Sequence, residues 1–225
     1  MVKYQGAILD VDGTLVDSND GHARAWVGAF RDEGFDIPFE WVRPLIGMGG
    51  DQVVPRLTGV QKDTPQFKRL TDGWKRHFEA EELPHVQAQP GARELVEGLR
   101  DRGLKLVIGS SGEKELVEKL LKIAGVDDLV PERTTSAEVE ASKPEPDIVQ
   151  AALKKLGLKS GEVLMVGDTP FDIESARKAG VAAVALRCGG DDRLEGAVAV
   201  FDSPADWAAR LDGPPLGSVG GDSQN

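Results

Sequence analysis

The sequence predicts an α/β fold in which a doubly wound parallel sheet is interrupted near its beginning by an inserted helical subdomain. From about residue 90 onward, apolar runs of strand length alternate with helical patterns, which is typical of consecutive βαβ units. Residues 18–88 break that alternation, because they show helical stripes and no convincing strand. The chain has 225 residues, enough for a large core with a smaller insert.

The predicted sheet begins with the apolar run at residues 7–9, Ala-Ile-Leu. Three further apolar runs have the length and composition of buried parallel strands, at 105–109, 162–166 and 181–186. Helical patterns lie between them, and two of these run up to glycines suited to a helix C-terminus, Gly125 and Gly157. We therefore expect residues 1–17 and 89–212 to form the core.

Two helical stripes predict the inserted subdomain over residues 18–88. They run through Ala23, Trp26, Val27 and Phe30, and through Phe67, Leu70, Trp74 and Phe78. Three of the four tryptophans lie in the insert, where their spacing favours core positions over a ligand platform. The loop at 46–50, Ile-Gly-Met-Gly-Gly, either closes over a ligand or simply connects helices. Residues 213–225 are rich in Gly, Pro and Ser, and we expect them to be disordered.

Composition argues against several classes of function. No apolar stretch approaches the ~20 residues of a membrane span, and the net charge of −11 disfavours nucleic acid as a partner. Three scattered histidines argue against a zinc cluster. Cys188 is the single cysteine, which excludes an internal disulfide and suggests a buried or loop thiol. With no secretory leader pattern, we expect a cytoplasmic protein.

The most informative motif follows the first strand, at residues 10–14, Asp-Val-Asp-Gly-Thr. The carboxyl end of a parallel strand is where α/β sheets bind ligands. Side chains two residues apart on a strand alternate faces, so Asp10 and Asp12 converge only if the chain turns, which Gly13 permits. Asp10 could then act as a nucleophile and Asp12 as a proton donor and acceptor. A solvated acidic turn is the competing interpretation.

Two later segments carry groups suited to an anion. Ser110, Ser111 and Gly112 follow a strand and precede a helix, where hydroxyl and backbone N–H groups favour phosphate oxygens. Helix capping by serine explains one of these hydroxyls without a ligand. Lys143 lies just before a proline-started helix, where a cation opposes the helix dipole and so indicates a nearby anion. A solvated lysine is the simpler alternative.

A third strand end carries Asp168, with Asp172 four residues on at the start of a helix. If Asp10 converges with them, each like-charged pair at 4 Å costs about 4 kcal/mol at an effective dielectric of 20. A folded protein rarely keeps such a cluster without a cation. Carboxylates with no histidine or thiolate partner suit a hard divalent ion, and Mg²⁺ is the natural choice. Together these side chains predict a phosphoryl-transfer site.

The four motifs, taken in order, resemble those of the haloacid dehalogenase-like hydrolase superfamily. They are residues 10–17, the strand end at Ser110, residues 142–144 (Ser-Lys-Pro) and residues 167–172 (Gly-Asp-Thr-Pro-Phe-Asp). The resemblance covers residues 4–211 and implies a Rossmann-like core with an α-helical cap that excludes water and selects the substrate. It also implies an aspartyl-phosphate intermediate and Mg²⁺ held by Asp10, Asp168, Asp172 and the main-chain carbonyl of Asp12.

Departures from relatives narrow the expected reaction. True haloacid dehalogenases lack a carboxylate at the position of Asp12, so Asp12 favours phosphate chemistry. The stretch 22–26, His-Ala-Arg-Ala-Trp, is similar to one in sugar phosphomutases. Those enzymes typically carry Glu where this chain has Gly167, and a cation where its cap loop reads Met-Gly-Gly at 48–50. Hydrolysis of a small phosphorylated metabolite, phosphoglycolate or a sugar phosphate, is therefore expected.

A phosphomutase is the alternative reaction, and a non-catalytic phospho-acceptor domain is a remote one. Five cap residues are candidates for contact with the substrate: His22, Arg24, Arg43, Gly47 and Met48. Arg43 keeps the mutase alternative open, as does the basic cluster at 75–77, Lys-Arg-His, for which a solvated helix face is the simpler interpretation.

Overall fold

A six-stranded parallel sheet forms the centre of the computed structural model, which describes residues 4–217. Within that range the strands are β1 (Gly6–Leu9), β2 (Val16–Asp17), β3 (Gln87–Ala88), β4 (Lys105–Gly109), β5 (Arg133–Thr134), β6 (Val163–Gly167), β7 (Ala182–Leu186) and β8 (Ala199–Phe201). The sheet has the order β5-β4-β1-β6-β7-β8, while β2 and β3 pair separately as an antiparallel ribbon. Four of the sheet strands correspond to the predicted apolar runs.

Helices cover both faces of the sheet and build the insert. In the described residues they are α1 (Asn19–Asp32), α2 (Phe39–Val42), α3 (Gly50–Thr58), α4 (Pro65–His77), α5 (Ala92–Asp101), α6 (Lys114–Ala124), α7 (Asp147–Leu156), α8 (Pro170–Lys178) and α9 (Pro204–Ala208). Helices α6 and α7 end where predicted, because Gly125 and Gly157 adopt the left-handed conformation at their C-termini.

The sheet is buried on both faces, as a parallel sheet requires. In β1, Ala7 and Leu9 pack into one apolar cluster with α5, α6 and α9. Ile8 points the other way, into a second cluster with α7 and α8. The predicted α/β fold, a Rossmann-like doubly wound sheet with an inserted helical cap, is confirmed. The short outer strands β5 and β8 were not predicted, since two or three residues are too few to show a pattern.

The cap has an apolar cluster of its own, built mainly from α1, α3 and α4. It leaves and rejoins the core through the β2–β3 ribbon, where Val16 pairs with Ala88 and Asp17 with Gln87. The predicted cap limit at residue 18 adjoins this ribbon, whereas the limit at residue 88 falls inside it. No strand was expected within 18–88, because the two residues of β3 are too few to show a pattern. One core residue, Phe171 of α8, also packs into the cap cluster.

Three details correct or limit the sequence-based expectations. Trp41 is not a core residue, because 67% of its surface is exposed. Of the segment predicted to be disordered, residues 213–217 form turns in which the Gly217 N–H donates to the Gly213 carbonyl, and 218–225 lie outside the described residues. No helix within 4–217 has the length and apolarity needed to cross a membrane.

Candidate active site

The central strands of the sheet bring three of the four motifs to one edge. Strand β1 lies between β4 and β6, so the residues that follow these strands, Asp10, Ser110 and Asp168, are neighbours. The backbone N–H of Asp10 donates to the carbonyl of Val166 at 2.9 Å, which extends the β1–β6 pairing up to the site. The turn after β1 has Gly13 at φ +74°, in the left-handed region where glycine is favoured.

The Lys143 ammonium lies between two buried carboxylates. Its Nζ is 2.6 Å from Oδ1 of Asp10 and 2.7 Å from Oδ1 of Asp172, and only 1% of its side chain is exposed. Burial lowers the pKa of Lys143, but the two carboxylates outweigh that effect and raise it, so the lysine is charged. The solvated alternative for Lys143 is thus not what the structure shows.

Asp168 is held by neutral groups. Thr14 Oγ1 donates to its Oδ1 at 3.0 Å, and Asn19 Nδ2 donates to its Oδ2 at 2.7 Å. A Cβ at Gly13 would lie 2.1 Å from Oδ2, so this carboxylate can approach the turn only because residue 13 is glycine. Burial raises the pKa of Asp168 well above its usual value, and the charges of Asp172 and Asp10 add to that rise.

Asp172 reaches the edge from the first turn of α8. Thr169 caps this helix, accepting from the Asp172 N–H, while Asp172 Oδ2 accepts from the Thr169 N–H and hydroxyl. The carboxylate folds back over β6, where a Cβ at Gly167 would lie 2.3 Å from its Cγ. Gly167 thus makes room for the carboxylate of Asp172.

Asp10, Asp168, Asp172 and Lys143 form what we call the strand-end cluster. Oxygens of the three carboxylates lie within 4.8 Å of one another, and all three residues are buried. The cluster contains one ammonium and three carboxyl groups, and the ion pair with Lys143 is the contact of Asp172 Oδ1 within the described residues. Burial raises the pKa of Asp10 to about 7, with Lys143 opposing that rise. An all-oxygen set with surplus negative charge fits a hard divalent cation.

Asp12 faces a different environment, at the border between core and cap. Its Oδ1 accepts a hydrogen bond from Ser18 Oγ at 2.6 Å and also lies 2.6 Å from Nε2 of His22 in α1. Burial alone raises the pKa of Asp12, but His22 and the Ser18 hydroxyl outweigh it and hold it below the usual value. The His22 ring stacks on Phe78 at 3.9 Å between centroids. His22 is therefore one of the cap residues that contact the motif after β1.

The segment after β4 does not cap the following helix. Helix α6 begins at Lys114 after Glu113, and no side chain caps its N-terminus. Ser110 Oγ instead accepts from the Gly112 N–H at 3.0 Å, which fixes the loop. Ser111 Oγ is buried and has no hydrogen-bond partner within the described residues. Both serines and Gly112 line a cavity between the core and the cap.

A cavity of about 240 Å³ lies between the core and the cap. Asp10 and Asp12 lie on its core side, and His22, Gly47 and Met48 on its cap side. Two other candidate cap residues are not among its lining. Arg24 pairs with Glu82 and leaves 54% of its side chain exposed, whereas Arg43 binds Asp20 and the Gly189 carbonyl. The basic cluster at 75–77 is paired with Glu113, Asp32 and Glu81.

The cap loop at 46–50 contacts the segment that carries Lys143. The Gly49 N–H donates to Ser142 Oγ at 3.0 Å, and Asp51 accepts from both the Ser142 hydroxyl and its N–H. A Cβ at Gly49 would lie 2.6 Å from Ser142 Oγ, so glycine permits this close approach. We call the contact between Asp51, Gly49 and Ser142 the latch, because it ties the cap to the residue next to Lys143.

Comparison with known proteins agrees with this geometry. A family model described as haloacid dehalogenase-like hydrolase matches residues 7–186. The chain belongs to the haloacid dehalogenase-like hydrolase family. The family expected from the four motifs is thereby confirmed.

Several relatives in this family are phosphatases by name. Hexitol phosphatase A from Escherichia coli is 32% identical over 197 residues, covering 84% of this chain and 86% of that protein. Phosphoglycolate phosphatase from Mannheimia succiniciproducens is 31% identical over 208 residues, covering 88% and 91%. The structure of a hydrolase from Pseudomonas syringae superposes on this chain with a TM-score of 0.86 at 31% identity. The match covers 95% of this chain and 100% of that chain. The expected enzyme class, a family phosphatase, is confirmed.

Sequence reasoning missed several residues that the structure brings to the site. Asn19 and Thr14 hold Asp168, Asp51 forms the latch, and Trp74 lines the cavity. Thr14 lies inside the first motif and could have been found there. The other three depend on how the cap docks on the core, which a single sequence does not reveal.

Proposed function

We propose that this protein is a Mg²⁺-dependent phosphatase that hydrolyses small phosphorylated metabolites through an aspartyl-phosphate on Asp10. The observation that carries the proposal is the pair of carboxylates after β1 with opposite environments. Asp10 is buried beside Lys143, whereas Asp12 faces the cap and is hydrogen-bonded to Ser18 and His22. Two carboxylates whose environments push their pKa values apart suit two different catalytic roles.

In the first half-reaction, a carboxylate oxygen of Asp10 attacks phosphorus. The new bond joins Asp10 to phosphorus, and the bond from phosphorus to the ester oxygen breaks. The leaving alkoxide takes a proton from Asp12 and departs as the alcohol. Lys143 keeps Asp10 oriented and partly offsets the charge on the phosphoryl oxygens.

In the second half-reaction, the Asp12 carboxylate takes a proton from water, and the oxygen attacks phosphorus. The bond from phosphorus to Asp10 breaks, inorganic phosphate leaves, and both carboxyl groups return to their starting states. The contacts with His22 and Ser18 favour the carboxylate form of Asp12, the form this step needs. For the first step Asp12 must carry a proton, and His22 Nε2, 2.6 Å away, is close enough to exchange one with it.

The metal ligands we propose are Asp10, Asp168, Asp172 and the main-chain carbonyl of Asp12. When bound there, Mg²⁺ supplies positive charge that stabilises the ionised carboxylates and the phosphoryl oxygens. The surplus of buried carboxyl groups over ammonium groups in the strand-end cluster supports this assignment. The loop at 110–112, with its backbone N–H groups and the Ser111 hydroxyl, is suited to the phosphate oxygens.

Phosphoglycolate and sugar phosphates are the candidate substrates, and the cytoplasm is the proposed location. We propose no nucleic acid or membrane partner, because the net charge of −11 opposes binding to phosphate backbones and anionic surfaces. Burial raises the pKa of the Cys188 thiol to about 12, which disfavours its reactive thiolate form.

A phosphomutase is less well supported than a phosphatase. It needs cations to hold the second phosphate of a bisphosphate, and both candidate cap arginines, Arg24 and Arg43, are engaged with carboxylates outside the cavity lining. Incubation with a hexose 1-phosphate and a trace of the bisphosphate separates the reactions. A phosphatase releases inorganic phosphate, whereas formation of the isomeric hexose phosphate would contradict the proposal.

The proposal is tested with p-nitrophenyl phosphate, whose leaving group is recognised by its colour. We expect turnover with Mg²⁺, loss of turnover when the metal is removed by a chelator, and recovery when Mg²⁺ is restored. Ca²⁺ should not restore it, because its larger radius and higher coordination number do not suit the compact site. Full activity in the chelator would contradict the metal dependence.

A further inference from the structure

We propose that Asn19 is a positioning residue for the metal site, and that it ties this site to the cap through the Gly189 carbonyl, which it shares with Arg43. Asp168, which Asn19 contacts, is one of the proposed metal ligands, so this role of Asn19 rests on the proposed function. Three features support it: the contacts of the Asn19 amide, the neutral surroundings of Asp168, and the two donors that meet at one carbonyl oxygen.

The Asn19 side chain lies between two hydrogen-bond acceptors beside the strand-end cluster. Asn19 is the first residue of α1, where the chain enters the cap, and only 2% of it is exposed. Its Nδ2 donates to Oδ2 of Asp168 at 2.7 Å and to the carbonyl of Gly189 at 3.0 Å. A side-chain amide nitrogen has two N–H donors, and both are used here. Because both neighbours are acceptors, the nitrogen of the amide, and not its oxygen, must face them.

Asp168 depends on neutral donors for its orientation. Its side chain is fully buried, and it forms no ion pair within residues 4–217. The Lys143 ammonium pairs with the other two carboxylates of the strand-end cluster instead. Asn19 and Thr14 therefore supply the side-chain hydrogen bonds that hold Asp168. Groups that donate to a metal ligand fix its orientation, and their loss typically weakens metal binding by about 10- to 100-fold.

The oxygen of the Asn19 amide indicates that the residue is not there for stability alone. Its Oδ1 is buried and has no hydrogen-bond partner within the described residues. Buried polar atoms normally have partners, so this oxygen lowers the stability of the fold. An apolar side chain of similar size would avoid that cost but would leave Asp168 without one of its two donors. The amide at position 19 thus favours the orientation of Asp168 over stability, as functional sites often do.

The Gly189 carbonyl accepts a second hydrogen bond from the cap. Arg43, directly after α2, donates to it through Nη2 and pairs with Asp20 through Nε at 2.6 Å. A carbonyl oxygen has two lone pairs, so Asn19 and Arg43 can share it. A Cβ at Gly189 would overlap Oδ2 of Asp168, so the backbone after β7 also packs against this carboxylate. One carbonyl group therefore joins the metal site to two residues of the cap.

A further contact joins the same core loop to the cap in the opposite direction. Arg193 of this loop donates through Nη2 to the Pro44 carbonyl at 2.7 Å. The cap turn and the loop after β7 thus exchange hydrogen bonds, and a shift of the cap would break them. Asn19 would transmit such a shift to the metal site. Because coupling between two sites is reciprocal, metal binding should in turn stabilise the docked cap.

The first test measures metal binding without turnover, using Mn²⁺, which takes the same oxygen ligands as Mg²⁺. Free Mn²⁺ is quantified by electron paramagnetic resonance while it is added to chelator-treated protein. We expect Asn19→Leu to raise Kd for Mn²⁺ at least roughly tenfold and to leave the number of sites unchanged. Gln150→Leu, which removes an amide from an exposed position of α7, is the control and should change Kd less than about twofold. An unchanged Kd for Asn19→Leu would overturn the proposal.

The second test asks whether Arg43 acts through the same carbonyl. Arg43→Met keeps an aliphatic side chain, removes the guanidinium, and should raise Kd for Mn²⁺ roughly two- to tenfold, the usual value of one hydrogen bond. The double variant with Asn19→Leu should raise Kd by less than the product of the two single effects, because both residues bind Gly189. Arg24→Met, which breaks another arginine pair of the cap, is the matched control and should leave Kd unchanged. No effect of Arg43→Met, or a double variant whose effect equals the product, would overturn the link to the cap.

The outcomes separate the role of Asn19 from the proposed function. A lower Tm with an unchanged Kd for Mn²⁺ would assign Asn19 a purely structural role and overturn the proposal. If Asn19→Leu does not fold, Asn19→Ser, with one donor in place of two, is measured in its place and should also raise Kd. If the wild-type protein hydrolyses p-nitrophenyl phosphate with Mg²⁺ while the Asn19 variants bind Mn²⁺ normally, only the role of Asn19 is wrong. If the wild-type protein neither binds Mn²⁺ nor hydrolyses that ester, the proposed function has failed, and the role of Asn19 with it.

Discussion

The two walls of the cavity are built in opposite ways. The core wall carries Asp10 and Asp12 directly after a buried strand, and short ion pairs through Lys143 join Asp10 to Asp172 in the strand-end cluster. The cap wall consists of stacked aromatic rings and a glycine loop, supplied by the faces of α1 and α4 and the start of α3. The core wall carries the two carboxylates assigned to the reaction, whereas the charged residues of the cap lining are Asp51 and Lys62.

This contrast assigns the phosphoryl-transfer reaction to the core wall and the choice of substrate to the cap wall. A substitution in the strand-end cluster should lower kcat for every phosphate ester, because all esters share the transferred phosphoryl group. A substitution in the cap wall should change the ranking of substrates, because only the leaving group reaches it. Substitutions in the two walls should therefore be distinguishable by whether they lower kcat for all esters or change the ranking of substrates.

The largest effect is expected from Asp10→Asn. An amide cannot replace the attacking carboxylate, so kcat with p-nitrophenyl phosphate should fall by at least about 10⁴-fold while the circular dichroism spectrum stays unchanged. Asp101→Asn, on the exposed end of α5, is the matched control and should keep full activity. A kcat for Asp10→Asn within a hundredfold of the wild-type value would contradict the assignment of Asp10 as the nucleophile.

Lys143→Met should give the next largest loss. We expect kcat to fall about 10²- to 10³-fold for all substrates, the usual effect of removing one group that stabilises transition-state charge. The variant leaves Asp10 and Asp172 buried without their ammonium, so the free energy of unfolding should fall by about 3–5 kcal/mol. Denaturant titration measures this second effect, and unchanged stability would contradict the ion-pair geometry.

The latch connects the two walls, and Asp51→Ala tests that connection. Losing both contacts to Ser142 should lower kcat/KM about tenfold, because charge-assisted hydrogen bonds contribute about 1.5–3 kcal/mol. Asp51→Asn keeps one acceptor and should lose less. Glu97→Gln, which breaks the exposed pair with Arg93 away from the cavity, is the control and should change kcat/KM less than twofold. If all three variants changed kcat/KM equally, the latch would contribute no more to activity than an exposed ion pair, and the prediction would be wrong.

The same contrast explains how much the sequence could predict. Asp10, Ser110, Asp168 and Asp172 were found because strand ends in a parallel sheet must meet at one edge, whatever the cap does. Lys143 was identified because a cation just before a helix opposes the helix dipole, and this unfavourable position indicates a nearby anion. The cap wall depends on tertiary docking instead: Arg24 points to Glu82 rather than into the cavity, and Trp74 lines it although its helical spacing favours a core position.

The smallest predicted effect concerns the pH dependence of cap stability. Burial alone lowers the pKa of His77, but hydrogen bonds to Glu81 and Asp32 outweigh it and raise it above the usual value of 6.5. The raised pKa in the folded state contributes stability that is fully present below about pH 6.5 and is lost as pH rises through the folded-state pKa.

His77→Gln should therefore lower Tm at pH 6 by roughly one to two degrees and have less effect at pH 9. Differential scanning calorimetry at the two pH values measures this, with His85→Gln on an exposed turn as the control. A larger loss at pH 9 than at pH 6 would contradict the sign of the shift. Because His77 is not among the residues lining the cavity, kcat should stay unchanged.

The division of roles between Asp10 and Asp12 is the central claim, and one measurement tests it directly. Asp12→Asn is mixed with excess p-nitrophenyl phosphate and Mg²⁺, then quenched and analysed by intact mass and peptide mass spectrometry. Because p-nitrophenol leaves without a proton, the first half-reaction should proceed and the second should stall. We predict a burst of one equivalent of p-nitrophenol and a phosphoryl adduct on Asp10. Steady release without a burst or adduct would contradict the account.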